Sequence, residues 1–180
     1  MKNLLLLLPL TLLLNSCVVD VDTGGCTDTF ADNYESFADY DDGSCYYSCD
    51  DPYSINNNLS SASYYCEYEA DVVFYEDVAA AIYFDNLNVN WLDVYIGSTY
   101  VGNLDATLGF TYTPTCYPID PDAVHFSLNW FDYNNSTFTW SVRDETGYLH
   151  YSGTDYIFAN ECLPMELTFK KIKEYKEATK

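Results

Sequence analysis

Seven cysteines, at positions 17, 26, 45, 49, 66, 116 and 162, constrain this chain more than any other feature. An odd set cannot pair completely within one chain. The first cysteine closes an apolar leader. Lys2 supplies a positive start, Leu4 to Leu14 form a run broken only by Pro9 and Thr11, and Ser16 is a small residue before Cys17. The run falls short of the ~20 residues needed to span a bilayer, so it reads as a secretory signal rather than an anchor helix. Export brings the other six cysteines into an oxidising environment, where an even set is expected as disulfides. No C-x2-C pair points to zinc instead. Many pairings remain open at this level. Cys49 and Cys66, which bracket a polar stretch, are the preferred local pair.

The tetrapeptide Leu14-Asn15-Ser16-Cys17 resembles the bacterial lipobox, departing from it only at Asn15. The resemblance implies fatty acylation (palmitate-type chains) at Cys17 and a lipid anchor in the outer membrane of a Gram-negative bacterium. One acyl chain holds a protein only marginally, at about 0.8 kcal/mol per buried CH₂, so several chains would make the attachment nearly permanent. Asp20 and Asp22 resemble signals that send such lipoproteins to the cell surface.

Gly25 to Cys45 reads GCTDTFADNYESFADYDDGSC. It is similar to a short repeat of exported bacterial surface proteins, with the pattern G-C-T-D, A-x-N-Y, A, D-D-G-S-C, and departs from it at Thr29. The resemblance implies a Cys26–Cys45 bridge around a compact spacer module. A stretch of this length cannot build a core and needs such a staple, worth about 3 kcal/mol in the chain-entropy model. Asp28, Asn33, Asp39, Asp41 and Asp42 offer oxygen ligands to Ca²⁺, the cation that carboxylates favour. The spacing is not that of an EF-hand, because Ala38 and Tyr40 occupy two ligand places ahead of Gly43.

Residues 46–68 are polar and turn-rich. From 69 to 169 the pattern becomes period-two. ADVVFYE and AAAIYF read as strands. WLDVYIGSTYVGNL reads as a hairpin with a type II′ turn at Gly97-Ser98. LGFTYT, AVHFSLNWF, TFTWSVR, YLHYSG, DYIFA and MELTF follow as further strands, with Phe126, Leu128 and Trp130 on one face and Phe138, Trp140 and Val142 on another. Seven to nine short strands predict an all-β fold, an antiparallel sandwich. The region also resembles a β-rich domain that follows the same repeat in related bacterial lipoproteins and has no established activity. That resemblance implies a Cys116–Cys162 bridge. The expected organisation is a signal peptide (1–16), a lipidated tether (17–24), the Cys-bounded acidic repeat (25–45), a disulfide-held linker (46–68), the sandwich (69–169) and a Lys-rich tail (170–180), helical or frayed.

Charge narrows function. Without Lys2, six basic residues face 28 acidic ones, and between Cys17 and Thr168 the only basic side chain is Arg143. Such a surface repels nucleic acid and anionic headgroups. His125 and His150, the only histidines, are expected on polar strand faces with no nucleophile motif beside them, so no catalytic residue is assigned. Exposed Tyr and Trp on a sheet can stack on sugar rings. The candidates are Trp91, Tyr95, Tyr100, Tyr148 and Tyr151, whereas Trp130 and Trp140 are expected in the core. The resulting expectation is a non-enzymatic, membrane-anchored surface lipoprotein acting in interaction, adhesion or surface assembly. The alternative is a carbohydrate-binding module.

Overall fold

The computed structural model describes residues 22–61 and 65–178. Cys17 and the leader lie outside the described residues. The chain divides into two compact units, one ending at Cys45 and one beginning at Tyr46. In the first, β1 (Gly24–Gly25) pairs in parallel with β2 (Tyr40–Asp41), and Cys26–Cys45 closes the loop. Among the described residues of this unit Cys26 and Ala31 are buried, while Phe30 and Phe37 face solvent.

The second unit is mostly strand. After the short pair β3 (Tyr47–Ser48) and β4 (Ser60–Ser61) come β5 (Glu67–Glu76), α1 (Val78–Asn86), β6 (Trp91–Ile96), β7 (Thr99–Asp105), β8 (Val124–Phe131), β9 (Asn135–Asp144), β10 (Leu149–Phe158), β11 (Cys162–Leu167) and α2 (Phe169–Ala178). One sheet has four strands in the order β10-β9-β6-β7, and another has three in the order β11-β5-β8. Their inward residues share one buried cluster. It includes Val72 and Phe74 of β5, Leu92 and Val94 of β6, Phe138, Trp140 and Val142 of β9, Ile157 of β10 and Leu167 of β11. Phe74 meets Trp140 edge-on, with ring centroids 5.6 Å apart. The Trp140 indole N–H donates to Asp155 Oδ2 at 2.5 Å, so the largest core side chain leaves no unmet donor. Gly153 lies opposite Trp140 in the β9–β10 ladder, and a Cβ there would come within 2.9 Å of the indole.

Several expectations change. AAAIYF is helix, not strand. Asp77 caps α1, its Oδ1 accepting from Ala80 N–H at 2.6 Å, and three alanines of high helix propensity follow. LGFTYT forms no strand: Phe110 makes one bridge to Asp77, and the chain then leaves the sheet toward Cys116. YLHYSG and DYIFA are one strand, β10. The sheets are not wholly antiparallel, because β11 runs parallel to β5. Residues from 46 onward belong to the second unit. Asn56 explains why: its side chain donates to Tyr65 C=O and accepts from Glu67 N–H, stitching the Cys49–Cys66 loop onto β5. Tyr68 O–H adds a bond to Asp51 Oδ2 at 2.8 Å; burial first, and then that carboxylate, pushes its pKa up to about 12. The hairpin turn is as expected, with Gly97 at φ +58 joining β6 to β7. The tail is helical, with Ile172 buried.

Candidate ligand-binding face

The outer face of the four-stranded sheet gathers three of the five aromatic candidates. Alternation along β6 sends Leu92 and Val94 inward, which leaves Trp91, Asp93 and Tyr95 outward. Trp91 is 44% exposed and Tyr100, on β7, is 52% exposed. Tyr95 and Tyr100 are cross-strand partners whose rings meet edge-on at 5.7 Å. Next to them, β9 presents Thr137, Thr139, Ser141 and Arg143, and β10 presents Ser152, Thr154, Tyr156 and Phe158. Arg143 stands opposite Asp93 in the register and donates from Nη1 to Gly147 C=O at 3.1 Å. Burial and nearby Glu145 raise the Asp93 pKa.

The other two candidates lie elsewhere. Tyr151 is only 2% exposed: it shares the inward phase of Gly153, Asp155 and Ile157 on β10, so it is no ligand platform. Tyr148 sits in the turn after β9, its ring 5.0 Å from His150, and lines a cavity of about 360 Å³ with Asp144, Glu145 and His150. His150 is buried, contrary to the polar-face expectation, with Nε2 at 2.8 Å from Asp144 Oδ2 and its ring edge-on to Phe84. Asp144 also accepts from Thr146 N–H, Thr146 O–H and Tyr148 N–H. Burial opposes its charge, but these bonds prevail and hold its pKa below the usual range. This constellation fixes the β9–β10 turn.

A larger groove, about 560 Å³, lies beside the Cys116–Cys162 bridge, with Glu69, Asp71 and Glu161 around it and Tyr117 on its wall. Asp71 accepts from Ser127 O–H and Glu161 from Phe158 N–H. The proposed calcium ligands have local duties. Asp28, Asp41 and Asp42 accept from the N–H of Phe30, Gly43 and Ser44. Asp39 accepts from Thr23 N–H, and Asn33 donates to Ser44 C=O. The bonds from Ser44 lower the Asp42 pKa. Among the described residues, no three His, Cys, Asp or Glu side chains gather as metal ligands.

Tyr156 and Phe158 are additions to the candidates. Their signal was the alternation of DYIFA continued from YLHYSG, which sets them on the same side as Ser152 and Thr154. Comparison of the chain with protein-family models, curated proteins and solved structures found no match.

Proposed function

We propose that this chain is an exported, lipid-anchored surface lipoprotein whose β-rich unit, with its two sheets as the leaves of a sandwich, is a non-enzymatic interaction module. One observation carries the reading: the six cysteines of the described residues are used up in three disulfides, Cys26–Cys45, Cys49–Cys66 and Cys116–Cys162. Bridges of this kind belong to oxidising compartments, and they leave Cys17 as the one cysteine of seven for another task. Acylation there would tether the module to the outer membrane at the cell surface. Intact-mass analysis of envelope-extracted protein tests the reading. Acyl mass on the fragment beginning at Cys17, lost with release to the soluble fraction in Cys17→Ala, is expected. Unmodified Cys17, or free thiols among the other six, would overturn it.

A second reading, carbohydrate capture, is favoured by the outward Trp91, Tyr95 and Tyr100 beside Ser141 and Arg143. Aromatic bodies with polar tips suit sugar rings, which present a flat C–H face and a rim of hydroxyls. Binding of glycans that weakens when Trp91 or Tyr95 becomes Ala would support it, and unchanged binding would reject it.

A further inference from the structure

The chain has 28 acidic residues, yet the outward positions of β9 and β10 carry none. On β9 and β10 the outward rows beyond Arg143 pair Ser141 with Ser152, Thr139 with Thr154 and Thr137 with Tyr156. The two carboxylates of these strands turn the other way: Asp144 binds buried His150, and Asp155 accepts from the Trp140 indole in the core. The result is a strip of hydroxyls. Tyr95 and Tyr100 stand at one end, and Tyr156 and Phe158 stand at the other, their rings 4.9 Å apart and edge-on. Tyr156 is 47% exposed.

Strand geometry sets the dimensions. From Tyr95 to Tyr156 the path crosses two strand spacings and four residues of rise, about 10 Å by 13 Å before twist. That is the footprint of a short oligosaccharide, not of a single sugar. Between the platforms, hydroxyls that both donate and accept match a ligand whose polar groups do the same. The charge pattern decides the ligand's sign. A strongly negative molecule repels anionic polymers at long range, and one exposed arginine does not reverse that field. Its acid-free strip matches an uncharged ligand.

We propose that this strip binds a neutral glycan chain laid diagonally from Tyr95 to Tyr156, with stacking at both ends and hydroxyl contacts from Ser141, Thr139, Ser152 and Thr154 between. The proposal rests on the carbohydrate reading and extends its site across β9 to the edge strand β10. Affinity electrophoresis of the full chain in detergent, through gels holding neutral polysaccharides (mannan, xylan, mixed-linkage glucan, galactomannan) or anionic ones (alginate, polygalacturonate), tests it. Retardation by at least one neutral polymer is expected. Tyr156→Ala and Thr139→Glu should each weaken it about tenfold, the loss of one platform or of the uncharged floor. Tyr133→Ala, exposed but off the strip, should leave it unchanged, and circular dichroism should show all variants folded. Binding that depends on Tyr95 but ignores Tyr156 and Thr139 would leave the carbohydrate reading standing and overturn the extended site. Binding to no neutral polymer would overturn both. Retardation by anionic polymers alone would overturn the charge argument. A concentration-dependent dimer abolished by Thr139→Glu, without glycan binding, would assign the strip to a second copy of this chain.

Discussion

Glu76 should make this protein less stable as pH rises through neutrality. It ends β5 opposite Leu167 of β11, is 1% exposed, and finds no hydrogen-bond partner among the described residues at either carboxyl oxygen. Burial first, then nearby Asp77 and Asp105, raises its pKa from 4.5 to about 9. Below the unfolded value both states hold the proton and the group is neutral to stability. Between there and about pH 9 the unfolded chain releases the proton while the folded chain keeps it. Stability therefore falls by about 1.36 kcal/mol for each pH unit in that window. From about pH 5.5 to 7.5 the loss is about 3 kcal/mol, on the order of 5–10 °C in melting temperature for a chain of this size. Other acids add their own repulsion, so the measurement is a difference. Thermal melts of the native chain and of Glu76→Gln across this range should diverge, with the variant's curve flatter by that slope. Glu76→Leu, which also removes an unpartnered polar group, should be more stable than either at pH 7.5, by about 1–3 kcal/mol over Gln. Parallel melting curves for the native chain and Glu76→Gln would refute the reasoning.

Other perturbations test the packing and the loops. Gly109→Ala should destabilise strongly, by about 3 kcal/mol or more, because its Cβ would lie 2.4 Å from the Val78 Cα, where backbone cannot yield; urea titration reads it. Gly153→Ala forces the Trp140 indole to shift and should cost about 1–3 kcal/mol, visible as a change in tryptophan fluorescence. Asn56→Ala removes the side-chain bonds to Tyr65 C=O and Glu67 N–H and should lower stability by about 1–3 kcal/mol, with earlier proteolytic cleavage between Cys49 and Cys66. The acids of the first unit already cap its loops, so chelator should leave the melting temperature unchanged; a fall would instead establish a calcium site.

The period-two segments were legible because each buries one face. Phe138, Trp140 and Val142 lie inward on β9 while Thr137, Thr139 and Ser141 lie outward, and Gly97 turns the β6–β7 hairpin. The helix at Val78–Asn86 had a readable signal in Asp77 followed by three alanines, but AAAIYF is also apolar enough to pass for a buried strand, and short apolar runs do not settle the period. Tyr151 lies inward by the same alternation that buries Ile157, a phase hidden when YLHYSG and DYIFA are read as separate strands. His150 has the outward phase of Ser152 and Thr154, and the irregularity between Leu149 and Tyr151 turns it inward, because one slipped residue exchanges the faces. The parallel partner of β5 could not be read at all, since the identity of a neighbouring strand depends on contacts distant in sequence.

That parallel pairing bears on the order in which the sheet can close. The inner strand of the three-stranded sheet takes its last neighbour from Cys162–Leu167, almost at the carboxyl terminus. A polypeptide made amino end first presents β5 long before that neighbour exists, so the sheet stays one strand short until Cys162–Leu167 is made. Closure of this sheet therefore waits on a contact distant in sequence, and the Cys116–Cys162 bridge fastens it only once β11 has arrived.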